Sequence, residues 1–371
     1  MDTPDESHIQ DCIEHFHETV RHVVAQLDRI GTTRPLESLD TRVSSNKAFG
    51  GRIVPRWSKG IIKFRVNEGL LLQLYDVLDR HRDDLQLAVL WPVPGSDEQP
   101  FISEEGLLSA MYDLTLNIAI LHELSHWLCG HLHLENQPLP GLEAIVESPD
   151  EVFLWVTEIE ADNTAAEILI QAMQFESVHQ ALSELEGFDL PPDDTAFIEF
   201  DGPVRVIGFR MALTALWIVI SLIEAKRGEA DGYPLPSARL YASISTLMAL
   251  YADLGDTQYD GEGNLVAQPA DVQQDAIMTF LRHVVQPVAK QMAEFPSPDT
   301  ANRLRPPLGE TADPSESFLA LLKDIQGLMF SGELATTGAR QLHALQPARD
   351  LIDKMLAPHR YLQGMTNGPR A

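Results

Sequence analysis

The sequence predicts a mainly α protein of the α+β class: a helical core, a small β-sheet near the N-terminal end, and additional helices toward the C-terminus. Three observations carry this. Two long Pro-free apolar stretches, Ser103 to Cys129 and Val204 to Ala225, exceed the length of a strand. Capping signals bracket the helical stretches. Only Cys12 and Cys129 are present among 371 residues of which 44% are hydrophobic, so a packed core and not a disulfide framework must hold the chain together.

In order, a first helix is expected from about Glu6 to Ile30, closed near Gly31. Arg42, Lys47, Arg52, Arg56, Lys59, Lys63 and Arg65 then fall within twenty-four residues that hold no Asp or Glu. The glycines and Pro55 in that stretch suggest loop and short strand, with Ile61 to Val66 and Leu85 to Leu90 as strand candidates. It reads as a solvated basic loop or as a docking surface for an acidic partner.

Ser103 as N-cap, Glu104 and Glu105 in the first turn and Gly130 past the end define one long helix to Cys129. Ser148-Pro149-Asp150-Glu151 is a capping box with Pro at the first helical position, opening a helix to about Met173. An acidic, Pro-rich connector follows from Glu184 to Pro203, then helices near Val204 to Ala225 and Ser237 to Leu254. Asp253 to Asp271 reads as loop, Val272 to Glu294 as helix, and Pro296 to Pro314 as a linker before a final helical pair. The division expected is residues 1–100 (helix, small sheet and basic loop), 101–255 (the site-bearing core) and 256–371 (C-terminal helices).

Twenty-seven Lys and Arg against fifty-five Asp and Glu give a net charge of −28, which disfavours nucleic acid and anionic membrane surfaces. The acidic N-terminus lacks the basic leader and apolar region of a secretory signal, and two cysteines fit a reducing, cytoplasmic compartment. Met211 to Ile223 is the most apolar run, flanked by Arg210 and Glu224. At thirteen residues it is short of the roughly twenty a membrane span needs, so a buried core helix is expected.

The residues that carry chemistry are His122-Glu123-Leu124-Ser125-His126, an HExxH pattern near the end of the long helix. Side chains four apart are offset by only about 40° and one turn, so both imidazoles can hold one ion. Glu123, about 100° from His122, can instead reach a water in the ion's open position. His17 and His22 have five residues from His to His, which places their rings about 140° apart, too far for chelation from one helix. The metzincin third ligand fails, because its Gly and His offsets fall on Cys129 and Leu132; His131 and His133 follow the cap as solvated loop histidines or ligands.

The better third ligand is Glu158 on the next helix. Glu158 and Asp162 share a face with Leu154, Ala161, Ala165 and Leu169, where two like charges need a compensating cation. Glu158 would ligate Zn2+, and Asp162 would accept a hydrogen bond from His122 or His126. Glu160 falls on a polar face and is the weaker ligand.

HELSH followed by the Glu158 to Asp162 E-x-x-A-D resembles the gluzincin branch of zinc metallopeptidases, the HtpX and CAAX prenyl endoprotease types included. The HELSHWLCGH and EIEADNTAAEIL runs also resemble the ImmA/IrrE-like peptidases and the phage-exclusion peptidase Lit. The resemblance covers about Leu107 to Met173 and implies a zincin-like catalytic core within residues 101–255. HtpX-type enzymes carry His-Pro with an Arg six residues after the His. Here Tyr233-Pro234 precedes Arg239 at that spacing, so Tyr233 and Arg239 are candidate oxyanion donors, or this is a turn opening a helix capped by Ser237.

The reading that follows is a zinc-dependent endopeptidase with His122, His126 and Glu158 as ligands and Glu123 as general base. A protein substrate is expected, with room for a protein activator. The alternative is a helical regulatory or partner-binding protein with a structural or lapsed zinc site, for which Cys129 would be the closing ligand.

Overall fold

The structure is a computed structural model that describes residues 6–30, 38–46, 51–56, 61–90, 100–134, 137–185, 188, 192, 195–227, 234–253, 258–259, 265–266, 270–294, 323–324, 334 and 336–362. Gly31, Lys47, Lys59, Tyr233 and the expected Pro296 to Pro314 linker lie outside the described residues. The fold is mainly α with a small β-sheet, as the sequence predicts.

Helix α1 spans Glu6–Ile30. The basic stretch forms β1 (Ser38–Ser44), β2 (Gly51–Arg56) and β3 (Ile61–Asn67). Strand β3 lies in the middle, parallel to β1 and antiparallel to β2, with Arg65 opposite both Arg42 and Arg52. Alternation assigns the two faces: Phe64 and Val66 are buried, while Arg42 and Arg65 are exposed.

Two helices follow, α2 (Glu68–Arg80) and α3 (Arg82–Leu90). The second corrects the strand expected at Leu85 to Leu90. In that run Leu85, Ala88 and Val89 are buried whereas Leu87 is 43% exposed, a helical and not an alternating pattern. Asp83 and Asp84 sit in the first turn, where they favour the positive end of the helix dipole. The short apolar run looked like a strand because its period shows only once Arg82 to Asp84 are counted in.

The centre of the molecule is α4 (Glu104–Leu128), buried on nearly every side. The Ser103 side chain caps it by accepting from the Gly106 amide. It ends at Gly130, whose φ of 79° is a left-handed conformation; an added Cβ there would meet the His359 carbonyl oxygen at 2.7 Å. The single turn α5 is His131–Leu134.

Helix α6 (Pro149–Ala172) packs along α4. It starts at Pro149 as expected, but the capping box does not form: Ser148 makes no side-chain cap hydrogen bond. Its ψ of 79° departs from the extended geometry that aims an N-cap hydroxyl at the helix amides. Ala161, Ala165 and Ala166 are fully buried, and their small side chains let α4 approach.

Beyond α7 (Glu176–Leu182), α8 (Gly202–Arg227) runs through the core and α9 (Pro236–Asp253) packs against α6. The Gly202–Leu222 segment is long and apolar enough to cross a membrane, and 94% of its most apolar window is buried inside the protein. Buried Arg210 within it donates to the carbonyls of Val89 and His283. A two-residue pair, β4 (Gln258–Tyr259) with β5 (Leu265–Val266), interrupts the expected loop at 253–271. Then come α10 (Ala270–Phe280), a π-helical turn at Leu281–Val285, α11 (Gln286–Glu294), α12 (Thr337–Ala344) and α13 (Gln346–Leu356).

One apolar cluster joins Phe16, Phe64, Leu121, Leu216, Tyr241, Phe280 and Tyr361, so all three stretches of chain meet in a single core. A smaller cluster seats Ile352 and Leu356 of α13 on Val152, Val156 and Ile159 of α6. That contact brings the C-terminal residues beside the end of α4.

Candidate metal centre

Helices α4, α6 and α9 bring the charged residues of the core together. His122 and His126 are one turn apart on α4, with ring centroids 5.0 Å apart and planes perpendicular. Glu158 of α6 lies opposite: its Oε2 is 3.5 Å from His122 Nε2 and its Oε1 is 3.7 Å from His126 Nε2. One ligand atom from each of the three lies within 4.8 Å of the others. Donors held on zinc at tetrahedral angles are about 3.3 Å apart, close to the separations of Glu158 from the two imidazoles.

Asp162, one turn further along α6, places Oδ1 2.8 Å from His122 Nδ1. Arg239 of α9 clamps the same carboxylate through Nε to Oδ2 at 2.6 Å and Nη2 to Oδ1 at 2.8 Å, and its Nη1 is 3.6 Å from Glu158 Oε2. Arg239 was expected to donate to an oxyanion; in the structure its guanidinium fork is engaged by Asp162. Glu123, beside His122 on α4, is half-buried.

The electrostatics follow from this packing. Glu158, Asp162 and Arg239 are all at most 5% exposed, and an isolated charge at such depth costs several kcal/mol, about what a specific partner must return. Burial favours the neutral acid of Glu158, but His122 and Arg239 outweigh it and hold the carboxyl well below the usual range. Burial likewise opposes charge on Asp162, and Arg239 followed by His122 keeps it ionised. Burial also works against a charged His122, yet Asp162 and Glu158 together carry its pKa up to about 10. His126 goes the other way: burial lowers it to about 3, so the ring is neutral.

Two observations test whether these residues fit a metal. Glu158 Oε2 is a buried acceptor with no hydrogen bond among the described residues. The imidazoles supply nitrogen donors and Glu158 a carboxylate oxygen, the donor set that suits zinc. His122, His126 and Glu158 could thus hold a metal ion.

Behind His126 lies a second group. His131 Nδ1 is 3.0 Å from His126 Nδ1, and His131 Nε2 is 3.0 Å from Glu160 Oε2. Arg360 binds Glu160 and reaches Asp353 Oδ1 at 2.9 Å. Burial opposes ionisation of Glu160, but His131 and Arg360 outweigh it and lower its pKa.

Sequence reasoning missed this group. His131 was expected in a loop, solvated or ligating, and is buried at 3% exposure against His126. Glu160 was set on a polar face, yet its side chain is only 13% exposed. The spacing of Gly130 and His131 after HExxH was the available signal; Arg360, two hundred residues from Glu160, left none. Cys129 lies with His131 and Glu160 and 3.3 Å from the Thr164 hydroxyl, while His133 bonds the Tyr361 hydroxyl at 2.8 Å. His17 and His22 go to separate partners, Thr41 and the Gln174 carbonyl.

No protein-family model, curated protein or solved structure matches this chain.

Proposed function

We propose that the chain is a zinc-dependent endopeptidase, with His122, His126 and Glu158 as the metal ligands and Glu123 as the general base. The observation that carries the reading is the convergence of His122 Nε2 and His126 Nε2 on the Glu158 carboxylate, at 3.5 and 3.7 Å, in a largely buried site. With its hydrogen on Nδ1, His126 would turn a lone pair toward that carboxylate, and a cation between them would reconcile the two acceptors.

Zinc bound at this point supplies a Lewis acid that acidifies water toward a pKa of about 7 and polarises a carbonyl. The chain's own residues do the rest. Glu123, rotated about 100° from the ligand face of α4, takes the proton of the attacking water and returns it to the leaving amine. Asp162 orients His122 through Nδ1, and Arg239 locks Asp162 while offsetting one of the two buried negative charges. Cys129 lies with His131 and Glu160 and not with the triad, so a zinc held by His122, His126 and Glu158 would keep a ligand position for water and substrate. The exposed arginines of β1 and β3 offer a protein substrate a docking face on an otherwise acidic chain.

The experiment compares two variants of the full chain. Glu123→Gln should keep about one zinc per chain and lose cleavage of a peptide library by a factor of about a hundred or more, whereas Glu158→Ala should lose the zinc. Full proteolysis by Glu123→Gln, or wild-type protein that retains no zinc after dialysis, would overturn the reading.

A further inference from the structure

We propose that His131, Glu160 and Arg360 are positioning residues that fix the tautomer of His126 and aim its Nε2 lone pair at the metal, so that the C-terminal segment sets zinc affinity. This inference rests on the metal reading of the site and deepens it.

The hydrogen-bond chain admits one consistent placement of protons through neutral rings. Glu160 is an acceptor only, with Oε1 bound by Arg360 and Oε2 3.0 Å from His131 Nε2, so that nitrogen carries the hydrogen. With its one hydrogen on Nε2, His131 presents a lone pair at Nδ1. His126 Nδ1 is 3.0 Å away and must donate to it. That leaves His126 with a lone pair on Nε2, the atom 3.7 Å from Glu158 Oε1. The opposite tautomer would point an N–H into the position of the ion and block it.

The relay is anchored from the far end of the chain. Arg360 also bonds Asp353 of α13, and the Tyr361 amide donates to the Leu128 carbonyl at 2.8 Å, tying this segment to the end of α4. Gly130, without a Cβ, lets His359 sit against the same turn. The competing use of the cluster is a second ion held by Cys129, His131 and Glu160. Both nitrogens of His131 are already engaged and Glu160 already pairs with a guanidinium, so the relay accounts for more of the contacts.

The test uses the full chain as wild type, His131→Phe, Arg360→Ala and Arg360→Lys. In metal-free protein carrying 15N-histidine, long-range 15N–1H spectra should show His126 as the Nδ1–H tautomer in wild type and shifted toward Nε2–H in His131→Phe. Zinc affinity, read by competition with a chromophoric chelator, should fall about 10- to 100-fold in His131→Phe and about tenfold in Arg360→Ala, with Arg360→Lys recovering most of it. Nε2–H in wild type overturns the relay even if zinc binds. A second equivalent of zinc that Cys129→Ala removes also overturns it. Nδ1–H in a wild type that binds no zinc supports the relay while sinking the metal reading. Should His131→Phe fail to fold, equal affinities across wild type, Arg360→Ala and Arg360→Lys refute the proposal.

Discussion

Changing the pH from 6 to 8 should strengthen zinc binding by at least about 100-fold, because His122 must surrender a proton to ligate. The magnitude comes from the site. Without a cation, Asp162 and Glu158 outweigh burial and hold His122 charged with a pKa near 10. His126 is neutral and Glu158 ionised throughout this range, so neither contributes a proton. Affinity therefore rises about tenfold per pH unit up to about pH 10. An imidazole titrating at its ordinary value near 6.5 would give only about a fourfold change over the same two units. Ionisation of a water acidified to about 7 adds at most about another tenfold in either case. Chelator competition measures the affinity, and proton release in weakly buffered solution should approach at least one per zinc at pH 7. A change smaller than about 40-fold refutes the argument, since it falls within what an ordinary histidine and a water explain. The sign for the metal-free fold is opposite: a raised pKa contributes stability fully below about 6.5 and loses it as pH climbs through about 10.

Arg239→Leu should destabilise the metal-free protein by about 3–5 kcal/mol, because Asp162 and Glu158 would remain buried with His122 alone to offset two negative charges; urea unfolding checks this, and a loss below about 1 kcal/mol would contradict it. Gly130→Ala should cost about 1–3 kcal/mol through its positive φ and the clash with His359, seen as a lowered Tm together with faster C-terminal proteolysis. Cys129→Ala should leave zinc content unchanged, and in the native wild type burial pushes the Cys129 thiol up, so it should resist alkylation at pH 8 until the chain is unfolded.

The legible part of the site is the part written in one helical period. His122 and His126 stand four apart, as do Glu158 and Asp162, and the apolar residues around each pair announce that the charges are turned inward. The oxyanion role expected of Arg239 came from a spacing along the chain, whereas the structure presents its fork to Asp162 across the α6–α9 contact. The helix at Leu85–Leu90 was missed because six residues are too short a window to tell period 3.6 from a continuous buried run.

The sequence by itself determined the long helices, the pairing of histidines with an acid between them, and the need for a cation beside Glu158, since all of these follow from the periodicity of a single helix. The tertiary structure alone decided which group stands behind each ligand: Arg239 behind Asp162, and Glu160 with Arg360 behind His131. Those assignments depend on how separate helices pack and on where the end of the chain returns, and local spacing carries no record of either, because burial and charge pairing are settled only when distant segments share one core.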